Sequence, residues 1–193
     1  VWIALAQASA LTVSITLAGT ELLTWRRQQL ARGGAAADLD WLLDLAGGVR
    51  WANLQRLLLD PSRTIALQQS LEALAELWES HLQENVPLQH LVGLCPWRDL
   101  LLESSPAALI PRQETELLVD LALNQFKTSL PGRWADLGTG SGAIAASLAR
   151  AWPTASGHGV DLSPEALSLA ERNLRRCAPR HNCSLHLGSW WSP

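Results

Sequence analysis

The sequence lacks methionine and tyrosine altogether, and it has one phenylalanine and three cysteines against ten tryptophans. The cysteines form no Cys-x-x-Cys pair and their number is odd, which argues against a disulfide framework and favours a reducing, cytoplasmic compartment. The formal net charge is only −3. Nucleic acids and anionic membranes attract proteins through a positive field, so we expect neither as a partner. The hydrophobic fraction of 48% excludes wholesale disorder and is typical of a globular protein.

Residues 1–20 lack any charged side chain. A segment of that length can span a bilayer, so a membrane segment stays open as an alternative. Its serine, threonine and glutamine content keeps it only mildly apolar, however, and no basic stretch precedes it as in a signal peptide. Residues 1–18 are therefore expected to form a helical or disordered N-terminal extension. The missing initiator methionine leads us to expect a fragment of a longer protein.

One short stretch of the sequence concentrates possible zinc ligands. They are Cys177, His181, Cys183 and His186. If residues 183–187 form a strand, the side chains of Cys183 and His186 point to opposite faces, because side chains alternate along a strand. The spacing matches no structural zinc site. We therefore expect no metal.

Apolar residues at helical spacing predict four helices between residues 19 and 86. Asp38 is the predicted N-cap of the second helix, and the fourth is predicted to run from Ile65 to Leu82. Helices joined by short loops form small bundles, so residues 19–86 are expected to be a helical domain. The first three helices end at residue pairs that break helices: Gly33-Gly34, Gly47-Gly48 and Asp60-Pro61.

Beyond residue 86 the pattern changes. Residues 87–111 are short apolar stretches broken by glycine, proline and serine, which predicts a linker or hairpin, and a helix is predicted at residues 115–126. Strands and helices then alternate, which is typical of a parallel, doubly wound sheet. The predicted fold is therefore α/β, a small helical bundle followed by a partial doubly wound sheet. The predicted strands are 133–137, 157–162 and 183–187, and the helices are 141–152 and 164–176.

The strongest chemical signal is the glycine loop, residues 136–142 (DLGTGSG), which lies between a predicted strand and a helix. Glycines let the chain turn tightly and let a ligand approach the backbone, and the following helix offers free N–H groups. Asp161 lies nineteen residues past Gly142, at the end of the next strand, where a carboxylate can accept both hydroxyls of a ribose. Together they indicate a nucleoside-containing cofactor. A tight turn with a helix-capping aspartate is the structural alternative.

Asp136 discriminates between cofactors. Next to the pyrophosphate of NAD its charge would be repelled, whereas next to a sulfonium and an ammonium group it would be stabilising. S-adenosyl-L-methionine carries both of those cations, so the sequence favours a methyltransferase. Gly138, Gly140 and Ala143 nevertheless satisfy the GxGxxG/A pattern, and an NAD-dependent oxidoreductase stays open as an alternative.

From about Gly19 to the end, the chain resembles the release-factor glutamine methyltransferases, the HemK/PrmC family. The resemblance is carried by four segments, of which the second is the most specific: 87–93 (PLQHLVG), 109–116 (LIPRQETE), the glycine loop and 159–167 (GVDLSPEAL). It implies a class I, Rossmann-like methyltransferase domain at residues 112–193 and a helical substrate-recognition domain at residues 19–86. It also implies S-adenosyl-L-methionine as the cofactor.

The resemblance assigns residues to the cofactor by position. Asp161 would hold the ribose, residues 138–142 would line the cofactor, and Trp190 would lie against the adenine. The chain departs from the family pattern at Gln113, where proline is usual, and at Ser189, where an acid is common. The full set of predicted cofactor-binding residues is Asp136, Gly138, Thr139, Gly140, Ser141, Gly142, Asp161 and Trp190.

The implied reaction is methylation of a glutamine side-chain amide in peptide chain release factors, a step of translation termination. An amide nitrogen is a poor nucleophile, so such an enzyme must position it and accept its hydrogens. The family's Asn-Pro-Pro-Tyr motif, which grips the glutamine, is absent from residues 1–193 and is expected beyond Pro193. Catalytic residues are therefore not assigned, and His158 and Glu165 are only weak candidates for a base. A truncated, inactive module that binds a cofactor or a partner is the non-enzymatic alternative.

Overall fold

The computed structural model describes residues 14–127 and 131–192. The chain separates into two compact units, with the division between Val92 and Gly93. No helix within these two described ranges is long and apolar enough to cross a membrane. The bilayer-spanning alternative for the first residues falls mostly on residues 1–13, which lie outside the described ranges. The four-part division into extension, helical domain, linker and methyltransferase domain stays a prediction.

The first unit is mainly helical, as the sequence predicts. Its helices α1 and α3 correspond to the first and third predicted helices, and α1 is followed by the positive-φ pair Gly33-Gly34. A cluster of buried leucines from α1 to α4 forms the core, together with Trp78, whose indole N–H donates to the Gln29 carbonyl oxygen at 3.4 Å. The elements are β1 (Ile15–Ala18), α1 (Gly19–Ala31), α2 (Ala36–Leu45), α3 (Trp51–Leu59), β2 (Thr64–Leu67), α4 (Leu71–Glu84) and α5 (Leu88–Val92).

The strands β1 and β2 lie where the sequence predicts other structure. β1 is a strand rather than the helical or disordered segment expected there, and it pairs antiparallel with β2, where a helix is predicted to begin. The pairing buries Leu17 and Leu67 against the helical core. The fourth helix begins only at Leu71, because the Ser70 hydroxyl caps it by accepting a hydrogen bond from the Ala73 N–H at 3.2 Å.

The predicted cap of α2 is also wrong. The N-cap is Ala35, whose backbone is extended, and Asp38 lies in the first turn of the helix. An acidic side chain in that turn interacts favourably with the positive end of the helix dipole, and this explains the residue type without a capping hydrogen bond.

The second unit contains a parallel sheet of order β5-β6-β7, and the predicted doubly wound α/β pattern is confirmed. β5 and β7 have the predicted bounds, and α7 and α8 lie where helices are predicted. Both helices contribute to a core that includes Trp134, Cys183 and Leu185 of the sheet. The elements are β3 (Leu94–Trp97), β4 (Leu100–Glu103), a 3-10 turn (Gln113–Thr115), α6 (Glu116–Gln125), β5 (Arg133–Leu137), α7 (Ala143–Ala151), β6 (Ser156–Asp161), α8 (Pro164–Cys177) and β7 (Cys183–Leu187).

The strand register determines where the functional residues meet. β5 and β6 are adjacent and parallel, with Leu137 opposite Val160. Their carboxyl ends therefore lie side by side, so that the glycine loop after β5 and Asp161 at the end of β6 come together. Open parallel sheets bind ligands at this edge.

Candidate cofactor-binding site

The glycine loop is fastened to the end of β6 by backbone hydrogen bonds. The N–H groups of Gly138 and Thr139 both donate to the Val160 carbonyl oxygen, at 2.8 and 2.9 Å. The loop makes this turn with three residues in the left-handed region, since φ is 79° at Gly138, 54° at Gly140 and 77° at Gly142. Only glycine adopts such angles without steric cost, which explains the residue type at these positions.

The glycines at the two ends of this turn have different surroundings. A Cβ atom on Gly142 would lie 2.9 Å from the Cβ and 3.0 Å from the Cα of Ala170 on α8. Gly142 therefore permits close packing of the loop on a helix. A Cβ on Gly138 would meet no heavy atom within 4 Å. Gly138 borders open space, which leaves its backbone accessible to a ligand.

Asp136 is a buried carboxylate directly below the loop, with an exposed fraction of 8%. Its Oδ2 accepts hydrogen bonds from the Thr139 hydroxyl at 2.8 Å and from the Ala145 N–H at 3.1 Å. Burial raises the pKa of Asp136, these two hydrogen bonds oppose the rise, and the charge of Asp161 adds to it. The site therefore holds a carboxylate whose charge is poorly compensated by the protein.

Asp161 is held at the end of β6 by the backbone around it. Its Oδ2 accepts from the Gly140 N–H at 2.8 Å, and its Oδ1 accepts from the Ser163 N–H at 3.0 Å. A carboxylate oxygen accepts more than one hydrogen bond, so both oxygens keep acceptor capacity for a ligand. The start of α8 is as predicted, with the Ser163 hydroxyl accepting from the Ala166 N–H at 3.1 Å and Pro164 in the first turn.

These groups surround a cavity of about 410 Å³. That volume is in the range of small-molecule sites, about 300–1,000 Å³. Six of the eight predicted cofactor residues line it, namely Asp136, Gly138, Thr139, Gly140, Ser141 and Asp161. The lining does not include Gly142 or Trp190, and the exposed fraction of Trp190 is 70%. The cofactor roles of all eight residues stay predictions.

Residues 107–112 also line the cavity, and the sequence identified only residues 109–112 of this segment, as part of a family signature. The hairpin β3–β4 supports this segment. The Trp97 indole N–H donates to the Arg112 carbonyl oxygen at 3.0 Å, and the Arg98 N–H donates to Glu116 Oε1 at 3.2 Å. Arg112 thereby places a cationic side chain among the lining residues.

The other candidates lie elsewhere. Neither His158 nor Glu165 lines the cavity. His158 Nδ1 lies 3.0 Å from Nε2 of His186, and the Ser163 hydroxyl donates to Glu165 Oε2 at 2.9 Å. Within the described ranges, no group of three or more histidine, cysteine, aspartate or glutamate side chains is placed to hold a metal ion.

Replacing Gly142 and Gly138 by alanine separates close packing from conformational cost. Both residues have positive φ, and alanine is strained in this left-handed conformation. Each substitution should therefore lower the free energy of unfolding by about 1–2 kcal/mol. Gly142→Ala also drives a methyl group into Ala170, and overpacking of this kind adds about 1–3 kcal/mol. Urea unfolding should therefore show a larger loss of stability for Gly142→Ala than for Gly138→Ala. Equal losses would contradict the close packing of the loop on α8.

Asp136→Asn tests the cost of the buried charge. Because the folded-state pKa of Asp136 is raised, the stability of the unaltered protein should fall as pH rises through that pKa. The amide keeps an oxygen acceptor for Thr139 and Ala145 but carries no charge. The variant should therefore be at least as stable at neutral pH, and its advantage should shrink at acidic pH. Urea unfolding from about pH 4 to about pH 8 measures this difference. An advantage that does not change with pH would be inconsistent with this account.

Comparison with known proteins agrees with this geometry. A family model described as "Methyltransferase domain" matches residues 135–191, from β5 through the glycine loop, Asp161 and β7. The matched segment contains β6, β7 and most of β5, so the class I, Rossmann-like methyltransferase fold predicted for this part of the chain is confirmed.

Curated relatives match both units of the chain. A protein named "Release factor glutamine methyltransferase" from Prochlorococcus marinus is 54% identical over 175 residues, which are 90% of this chain and 60% of that protein. Proteins of the same name from Synechocystis and Gloeobacter violaceus are 36% and 41% identical, over 92% and 88% of this chain and 62% and 59% of their own lengths. The chain thus spans about three fifths of the length of these relatives. Over both of its units, the chain is similar to proteins named release factor glutamine methyltransferase.

Proposed function

We propose that the cavity binds S-adenosyl-L-methionine and that the protein transfers its methyl group to the side-chain amide of a glutamine in peptide chain release factors. One observation carries the cofactor assignment. The glycine loop and Asp161 meet at the carboxyl ends of two parallel strands and line one cavity of about 410 Å³.

The residues present fit this cofactor. The open space beside Gly138 admits a ligand close to the backbone, and the carboxylate of Asp161 has free acceptor capacity for two ribose hydroxyls. Residues 107–111 carry apolar side chains. They supply a surface against which the flat, largely apolar face of the adenine can be buried. Stacking of Trp190 on the adenine stays a prediction, since this side chain lies outside the cavity lining.

Charge distinguishes this cofactor from a dinucleotide. The charged side chains in the lining are the carboxylates of Asp136 and Asp161 and the guanidinium of Arg112. S-adenosyl-L-methionine has the complementary set, a sulfonium, an ammonium and a carboxylate. The diphosphate of NAD would instead bring negative charge toward Asp136, in a buried site where like charges repel strongly. The GxGxxG/A pattern alone therefore does not favour an oxidoreductase.

The acceptor is inferred from the relatives, whose names specify glutamine in release factors. The cofactor supplies an electrophilic methyl group, and this chain's residues bind it and hold its cationic end. The sequence contains no Asn-Pro-Pro-Tyr motif, so the residues named above account for cofactor binding but not for binding of the glutamine amide. Transfer would need the amide nitrogen aligned with the methyl group, which is catalysis by positioning.

The helical unit is the proposed contact for the protein substrate. Trp51, Leu58 and Leu59 of α3 are exposed apolar residues, and their spacing places them on one face of the helix. Exposed apolar faces of this kind are suited to protein contacts. We infer a cytoplasmic location, because the proposed substrates act in translation.

Calorimetric titration with S-adenosylhomocysteine tests the cofactor assignment. Asp161→Asn removes the charged acceptor, and a hydrogen bond to a charged group contributes about 1.5–3 kcal/mol. The variant should therefore bind roughly tenfold to a hundredfold more weakly than the unaltered chain. The matched control is Asp120→Asn, an exposed aspartate outside the cavity that pairs with Arg98, and it should bind normally.

The same titration distinguishes the alternatives. Binding of NAD in place of S-adenosylhomocysteine would favour the oxidoreductase. If the unaltered chain binds neither compound, the proposed function is wrong. Methyl transfer from labelled S-adenosyl-L-methionine to a release factor would exclude a role limited to partner binding.

A further inference from the structure

Asn173 is a fully buried polar side chain in the middle of α8, with an exposed fraction of 0%. Its Oδ1 accepts from the Glu103 N–H at 2.6 Å. Its Nδ2 donates to the Glu103 carbonyl oxygen at 3.1 Å and to the Ser141 carbonyl oxygen at 2.9 Å. Both donors of the amide are therefore used on carbonyl groups, and its oxygen is used on a backbone N–H.

The three hydrogen bonds join the glycine loop to the end of β4, the strand that leads into residues 107–112. Ser141 belongs to the glycine loop, and Glu103 ends β4, four residues before the segment 107–112 begins. An ion pair reinforces the attachment of α8 to Glu103, since Arg172 Nε donates to Glu103 Oε2 at 2.7 Å. Asn173 itself does not line the cavity.

The residue type matches this bridging role. An aspartate would direct charged oxygens at the Glu103 and Ser141 carbonyl oxygens, and an alanine would leave three backbone groups without their partner. An apolar residue would suit the buried face of the amphipathic helix α8 better than asparagine if packing were the sole requirement.

We propose that Asn173 is a positioning residue that sets the spacing between the glycine loop and residues 107–112, and thereby the affinity of the cavity for its cofactor. The inference rests on the proposed function, because it names a determinant of affinity for S-adenosyl-L-methionine. A cavity whose walls separate by a fraction of an ångström loses contacts on both sides of the ligand at once. The effect on binding should therefore exceed what the loss of stability explains.

The test compares Asn173→Ala with Leu174→Ala in the full chain. Leu174 is the next residue of α8, is equally buried and packs in the core of the second unit. Both variants should unfold at lower temperature. Below their unfolding transitions, Asn173→Ala should bind S-adenosylhomocysteine at least about tenfold more weakly than the unaltered chain, because the glycine loop and residues 107–112 are no longer held at the spacing that fits the ligand. Leu174→Ala should bind within about twofold of the unaltered chain.

Asn173→Asp supplies a rescue experiment. A charged carboxylate has no donor, but a protonated one regains a single O–H donor for one of the two carbonyl oxygens. The affinity of this variant, divided by that of the unaltered chain at the same pH, should rise as pH falls. Hydrogen exchange should also show faster exchange of the glycine-loop amides in Asn173→Ala than in Leu174→Ala.

The outcomes separate the two proposals. If the unaltered chain binds S-adenosylhomocysteine and folded Asn173→Ala binds equally well, the positioning role is wrong and the proposed function stands. Equal weakening by Leu174→Ala would overturn it too, because general destabilisation would then explain the effect. No binding by the unaltered chain overturns the proposed function, and the affinity role of Asn173 with it.

Discussion

The carbonyl oxygen of Val160 accepts two N–H groups from the glycine loop, and the architecture of the site depends on this junction. It fixes the loop after β5 onto the end of β6, and the next residue, Asp161, adds a third attachment through the Gly140 N–H. The loop then has to leave the sheet through left-handed residues and meet α8 at Ala170. The backbone hydrogen bonds, the positive φ angles of the glycines and the contact with α8 thus fix the position of the glycine loop together.

Asp136 shows that this geometry also has an energetic cost. The carboxylate is buried beside a second carboxylate, and burial raises its pKa, so the fold would be more stable with a neutral group there. Charges that destabilise a fold are typical of functional sites, where a bound ligand supplies the compensating charge. A cationic cofactor would provide that compensation, and this links the stability of the unit to the chemistry we propose.

The sequence predicted the parts of the site that depend on local signals. β5, β7, the glycine loop and the start of α8 follow from short patterns of strand, glycine and helix residues. Residues 107–112 were missed as a wall of the cavity because they form no periodic element. Their position depends on the indole of Trp97 and, through Glu103, on Asn173, which is seventy residues away in sequence. Such long-range hydrogen bonds have no signature in a local window.

The strand β2 was missed for a different reason. Residues 64–67 are only four, and Ile65 and Leu67 fit a strand of period two as well as the start of a helix. Pairing with β1, about fifty residues earlier, decides between them, and local propensity does not report it. The N-cap of α2 was misplaced because aspartate is common both at the N-cap and in the first turn of a helix. The residue type alone therefore does not fix where the helix begins.

A crystal structure of the chain with S-adenosylhomocysteine tests the central claim most directly. The account predicts that the ligand lies between the glycine loop and residues 107–112, with both ribose hydroxyls within hydrogen-bond distance of the Asp161 carboxylate and the amino-acid end near Asp136. A ligand bound elsewhere, or one whose ribose makes no contact with Asp161, would contradict it.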